Sequence, residues 1–157
     1  MIRKVISGGQ TGIDRAGLDA AINAGIPVGG YCSKGRLAED GTIPDMYTLT
    51  ELESPELYSR TEMNVRESDG TLIINKGDLN GGSKQTLDFT IKYGKARLVV
   101  QLDADLIIEP AHVIRWIEGQ YISVLNIAGP HESKYLGGIY ADALAYLEKV
   151  FALMKES

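Results

Sequence analysis

The run Ser7-Gly8-Gly9-Gln10-Thr11-Gly12-Ile13-Asp14-Arg15 sets glycines, hydroxyls, an amide and an acid–base pair of side chains between the apolar Val5-Ile6 and an amphipathic stretch reaching Gly25. Residues of these types at this spacing can bind an anion. Glycine has no Cβ, so the chain can take positive φ and bring its N–H groups close to a ligand. The helix start that follows presents unpaired donors and partial positive charge. Gly8, Gly9, Gln10, Thr11, Gly12, Asp14 and Arg15 are therefore candidate ligand contacts. The glycines at 8, 9 and 12 do not follow the G-x-G-x-x-G spacing, and no Gly-Lys-Ser/Thr follows, so ordinary dinucleotide or triphosphate chemistry is disfavoured. A tight strand-to-helix turn would itself ask for glycine, which is the structural alternative for this loop taken alone.

A second glycine pair makes the ligand reading stronger. Gly81-Gly82-Ser83, with Thr86 one helical turn on, follows the polar turn Asn75-Lys76-Gly77-Asp78, and Ser83 reads as a helix cap. Cations stand in or beside the loops: Arg15, Lys34 and Arg36 around Gly35, Arg60 and Lys84. The stretch from Pro55 to Ser68 places Thr61, Asn64 and Ser68 on one helical face with Leu57 and Val65, so a partly polar side is turned inward beside Arg60. Buried polar groups need partners, which a ligand or a neighbouring loop can supply. Asp69, at the end of that helix, could hold a loop or contact a ligand hydroxyl.

No catalytic set stands out. His112 and His131 have no carboxylate or cysteine at motif spacing. Glu39, Asp40, Asp88 and Glu132 are acids in positions where solvation or capping of a backbone N–H is the usual role, and the ligand spacings of zinc sites are absent. Cys32 is the single cysteine, which excludes an intramolecular disulfide and agrees with a reducing compartment.

The elements that must position these loops alternate in type. Strand-like runs at 2–7, 28–31, 71–74, 97–102 and 122–127 are separated by helical runs. These extend to Gly25, from Ser54-Pro55 to near Asp69, from Ser83 to Gly94, from Glu109-Pro110 to Gly119, and from about Tyr135 to Met154. Alternation of this kind predicts an α/β fold: a three-layer Rossmann-like domain with a mainly parallel sheet of about five strands and helices on both faces. In such sheets ligands bind beyond the carboxyl ends of the strands, where the loops named above converge. The long polar loop from Cys32 to about Met46 belongs to the same edge.

The chain has 157 residues, which suits one domain over 1–157. A net charge of −5 argues against broad nucleic-acid binding, so any anion must be met locally. No apolar run approaches the length of a membrane span, and Met1-Ile2-Arg3-Lys4 leads into a strand pattern without a secretory signal, so cytoplasmic residence is expected.

Several motifs taken together resemble the molybdenum cofactor carrier family, within a wider Rossmann-like set related to the lysine-decarboxylase-like and DNA-processing families. They are the run at 7–15, Lys34-Gly35-Arg36 with Ala38-Glu39-Asp40-Gly41, Arg60-Thr61 with Asn64-Val65, Ser68-Asp69-Gly70-Thr71, Gly81-Gly82-Ser83 with Thr86, and Asn126-Ile127-Ala128-Gly129-Pro130 with Glu132-Ser133. The resemblance covers nearly the whole chain. It implies a non-catalytic homo-oligomer, such as a tetramer, that binds the molybdenum cofactor of molybdopterin type and protects it or delivers it to molybdoenzyme acceptors. The relatives that cleave nucleoside monophosphates carry Pro-Gly-Gly-x-Gly-Thr-x-x-Glu. Here Asn80, Lys84, Gln85 and Asp88 replace the proline, third glycine, threonine and glutamate, which speaks against phosphoribohydrolase activity. A nucleotide-binding or sensing module and a nucleotide-processing hydrolase are the alternatives that the same loops would serve.

Overall fold

Apolar runs between glycine-rich turns become strands, and amphipathic runs become the helices that cover them. The computed structural model describes residues 1–156, the Tyr58 side chain apart, so Ser157, the far end of the expected domain, lies outside the described residues. β1 (Lys4–Ile6) leads into α1 (Ile13–Asn23) and β2 (Val28–Gly29). Short pieces follow: β3 (Tyr31–Cys32), the antiparallel pair β4 (Leu37–Ala38) and β5 (Gly41–Thr42), and β6 (Thr50–Glu51), which lies parallel to β3. Then come α2 (Leu57–Arg66), β7 (Gly70–Asn75), α3 (Gly81–Lys92), β8 (Ala96–Gln101), α4 (Pro110–Gly119), β9 (Val124–Ala128) and α5 (Tyr140–Glu156).

The main sheet has five strands in the order β2-β1-β9-β7-β8, and every pairing is parallel. The last strand is thus central, with Val5 beside Leu125 and Ile73 beside Ala128. β7 is buried along its whole length, as a parallel strand covered on both faces must be. Helices α1, α4 and α5 pack together on one face, and α2 and α3 pack together on the other. The result is the three-layer α/β architecture. Connections diverge at the carboxyl ends of β1, β9 and β7, where open α/β sheets leave a crevice.

Side chains alternate across the sheet, and its two faces differ in chemistry. Toward α1, α4 and α5 lie Leu72, Ile74, Leu125 and Ile127, packed with Ile13, Val113, Leu147 and Phe151 into one continuous core. Gly17 permits that approach, since a Cβ there would stand 2.9 Å from Ile127. Thr71 and Asn126, at the alternate positions, are buried with Asn64, Ser68, Ser83, Thr86 and Thr90. Asn126 donates through Nδ2 to Thr71 Oγ1 at 3.2 Å. No helix among the described residues is long and apolar enough to cross a membrane.

The structure departs from the sequence expectations at three element boundaries. The expected strand at 28–31 breaks at Gly30, whose φ of +125° turns Tyr31–Cys32 away to pair with β6; a Cβ there would collide with the Ser7 carbonyl. The helix expected from Ser54-Pro55 starts at Leu57, because Ser54 Oγ accepts the Glu56 N–H at 3.1 Å in a turn that precedes it. The final helix begins at Tyr140 rather than near Tyr135, because Gly137 and Gly138 take φ of +85° and +78° and place a loop there. Glu132 then caps α5 from a distance, its Oε1 accepting the Ile139 and Tyr140 N–H groups at 2.7 and 2.8 Å. Replacing that double acceptor, Glu132→Ala, is expected to lower unfolding stability by about 1–2 kcal/mol in urea melts, with Glu132→Gln losing less.

Candidate functional site

A cleft of about 450 Å³ opens at the carboxyl edge of the sheet. Gly8, Gln10 and Asp14 line it from the first loop, Arg60, Thr61 and Asn64 from α2, and Gly81, Gly82, Ser83 and Thr86 from α3. Asn126, the turn from Ala128 to His131, and Lys134 complete it, with Leu57, Asn80 and Gln85 at its margin. Gly129 makes this approach possible, because a Cβ there would run into the Ile74 carbonyl and Ile13.

The two glycine loops satisfy their N–H groups in opposite ways. In the first loop, Gly9 N–H donates to Ser7 Oγ at 3.3 Å, Gln10 N–H to Asp14 Oδ2 at 3.2 Å, Thr11 N–H to Gln10 Oε1 at 3.0 Å and Ile13 N–H to Pro130 O at 3.2 Å. These four donors are engaged by the chain itself. Gly9, at φ +77°, faces Leu49 and Ile43, and Gly12, at φ +80°, faces Pro130 O and the Glu132 N–H; both serve the turn.

The start of α3 is open by contrast. Asn80 occupies the cap position without capping, because its Oδ1 accepts Lys134 Nζ at 2.6 Å instead. A Cβ added at Gly81 or Gly82 would meet nothing within 4 Å. Ser83, expected as the cap, lies inside the first turn, and its buried Oγ has no hydrogen-bond partner. Thr86 Oγ1 donates to Gly82 O at 2.9 Å. The N–H groups that a helix leaves unpaired at its start, from Gly81 to Ser83, therefore face the cleft, and one unsatisfied hydroxyl is buried in the same turn.

The cations sort differently from the expectation. Arg15 donates through Nε to Gly9 O at 3.1 Å and pairs with Asp40, at 2.8 Å from Nη2. Arg36, at φ +53°, gives its guanidinium to the carbonyls of Ile43, Pro44, Leu49 and Tyr47 and so braces the 43–49 loop. Lys34 is exposed, and Gly35 N–H donates to Glu51. None of these lines the cleft, nor do Gly9, Thr11 and Gly12. Asp69 lies at the opposite end of the sheet, where its Oδ2 accepts the Ser123 and Val124 N–H groups at 3.0 and 2.8 Å.

Arg60 is the expected cation that reaches the cleft, 8% exposed, with one long bond to Gly8 O at 3.4 Å. Lys134 and His131 join it there, neither of them among the ligand contacts expected from the sequence. Asn126, part of a motif quoted for the family resemblance, was not among the expected ligand contacts; a lone amide in the apolar run Val124-Leu125-Asn126-Ile127 is the signal that marks it. Asn64 owes its burial to a loop, accepting Tyr31 N–H at 2.9 Å and donating to Tyr31 O at 3.0 Å.

Asp14 is the strongest electrostatic feature. Burial pushes its carboxyl up to about 6, against the opposing pull of Arg60, the Gln10 N–H and Arg15. Beside the cleft, Glu39 accepts the Ser133 N–H at 3.0 Å and the hydroxyls of Ser133 and Thr11, while its own N–H donates to Gln10 Oε1 at 2.9 Å. The Ser133 and Thr11 bonds hold the Glu39 carboxyl below the usual carboxylate range. The β4–β5 hairpin is thereby tied across Thr11 and the 131–133 turn. Among the described residues no group of three His, Cys, Asp or Glu side chains is placed to hold a metal ion.

Comparison with known proteins agrees with this architecture. The model of the circularly permutated YpsA SLOG family matches residues 5–151. The crystal structure of the putative molybdenum carrier protein from Syntrophus aciditrophicus superimposes with a TM-score of 0.88 at 48% identity, covering 96% of this chain and 94% of that one. No curated protein matches the chain.

The raised Asp14 carboxyl makes stability depend on pH with a definite sign. Between its ordinary value of 3.8 and about 6, the folded state holds a proton that the unfolded chain has lost, so stability falls as pH rises through that window. Asp14→Asn, which keeps an acceptor for Gln10 N–H, is expected to flatten this slope and to gain about 2–3 kcal/mol at pH 7 relative to pH 4. Urea melts from pH 4 to 7 on both proteins check it; a parallel pH dependence would contradict it.

Proposed function

The chain belongs to the circularly permutated YpsA SLOG family, and from that premise we propose that it is a non-catalytic carrier of the molybdenum cofactor, an anionic phosphate-bearing pterin bound in the cleft as cargo. The carrying observation is the uncapped start of α3, where the N–H groups of Gly81 to Ser83 open into the cleft that Lys134 also lines, with the unsatisfied Ser83 hydroxyl buried in the same turn. A terminal phosphate suits this end of the cleft, since helix-start N–H groups favour an oxyanion by about 0.3–2 kcal/mol according to burial, and the Lys134 ammonium group adds a charge-assisted bond. The name of the Syntrophus aciditrophicus neighbour supports a molybdenum-related carrier role. Within the same proposal the protein is cytoplasmic, acts as a homo-oligomer and hands its cargo to molybdoenzyme acceptors.

Titration of the purified protein with isolated molybdenum cofactor is expected to give saturable binding at micromolar concentrations and to slow oxidation of the cofactor. Absence of both would overturn the carrier role. Ser83→Ala should weaken binding about 3- to 10-fold, the worth of one hydrogen bond. Gly82→Val projects into open space, so it should abolish binding while changing stability by less than about 1 kcal/mol. Gly9→Val should instead impair folding, because it forces a β-branched residue to φ +77° against Leu49 and Ile43.

A further inference from the structure

The end of the cleft away from α3 has a polarity that a phosphate would not tolerate. Asp14 is 8% exposed, its Oδ2 accepts one N–H, from Gln10 at 3.2 Å, and its Oδ1 has no hydrogen bond from the described residues. An ionised carboxylate can accept about four hydrogen bonds, so most of its capacity is turned toward the cleft it lines. Across Gly8 stands Arg60, equally buried, with all but one of its N–H donors free of protein acceptors. Both side chains come to 3.1 Å from the point where a Gly8 Cβ would stand, Arg60 through Nε and Asp14 through Oδ2, yet no direct ion pair joins them. The missing Cβ of Gly8 leaves a slot with the Asp14 carboxyl, through Oδ2, on one wall and the Arg60 guanidinium on the other.

We propose that this slot recognises the 2-amino-4-oxopyrimidine edge shared by pterins and guanine, with Asp14 accepting the ring N–H and the exocyclic amino group and Arg60 donating to the adjacent carbonyl oxygen. The edge runs donor, donor, acceptor, and the two side chains supply acceptor, acceptor, donor. A ligand of this class supplies the hydrogen bonds whose lack makes the buried carboxylate costly, which is the same imbalance that raises its proton affinity. The facing charges are Arg60 on α2 and Arg15 on α1, with His131 on the turn after β9 lining the same cleft. The inference rests on the proposed phosphate position at α3, because only that orientation brings the ring to Asp14.

The test compares GMP, IMP, AMP and 6-hydroxymethylpterin phosphate by calorimetric titration at pH 7.5 with the native protein. GMP and the pterin phosphate are expected to bind at least about tenfold more tightly than IMP or AMP, the discrimination given by one bidentate pairing. The tighter of the two identifies which ring source the slot prefers. In Asp14→Asn the GMP preference over IMP should vanish, while phosphate-dependent affinity persists; its melting curve reports whether it is folded, and the native comparison decides the matter if it is not. Equal binding of GMP, IMP and AMP with Ser83-dependent affinity would overturn the ring assignment and leave the α3 site standing. No saturable binding of any of the four would overturn both.

Discussion

A helix start leaves backbone N–H groups in need of acceptors, and the starts of α1 and α3, both beside the cleft at the carboxyl edge of the sheet, meet this demand differently. At α1 the acceptors are internal: Ser7 Oγ, Asp14, the Gln10 amide and the Pro130 carbonyl take the N–H groups of Gly9, Gln10, Thr11 and Ile13. The bond from Ile13 to Pro130, between Gly12 and Gly129, locks the β1 turn onto the β9 turn and fixes one wall of the cleft. At α3 the cap residue Asn80 is drawn off by Lys134, and the first turn is left without protein acceptors. A ligand can complete the second start and is not needed at the first.

The uneven core follows from this division. Alternation along β7 and β9 sends Leu72, Ile74, Leu125 and Ile127 to the α1–α4–α5 side and Thr71 and Asn126 to the side of α2 and α3. The apolar side carries the hydrophobic stabilisation, at about 25 cal/mol per Å² of buried apolar surface. The polar side gives that up for positioned hydroxyls and amides beneath the cleft. Electrostatics repeats the division along the cleft itself: helix-start donors and Lys134 at one end, the Asp14 carboxylate and its facing Arg60 at the other.

Most of the fold was legible because period and punctuation agree: apolar runs of strand length, glycine turns and amphipathic helices place all five strands of the main sheet. Boundaries failed where a local bond outweighed the pattern, as when Ser54 closed a turn rather than a helix and when Gly137 and Gly138 held the chain in a loop ahead of Tyr140. The convergence of loops was legible too, but the division of labour among them was not. Arg15 and Arg36 look free in a sequence, whereas Asp40 and the carbonyls of residues 43–49 engage them. Such partners are distant along the chain, so only the folded arrangement separates a bracing cation from an available one. Lys134 is the converse case, brought beside Asn80 by a turn that no periodicity marks.

Amide-resolved NMR during titration with the isolated cofactor tests the division between the two helix starts most directly. The N–H signals of Gly81, Gly82 and Ser83 should move downfield as the phosphate arrives, with those of Gly9, Gln10, Thr11 and Ile13 nearly still. Large shifts in the first loop beside an unmoved α3 start would contradict it.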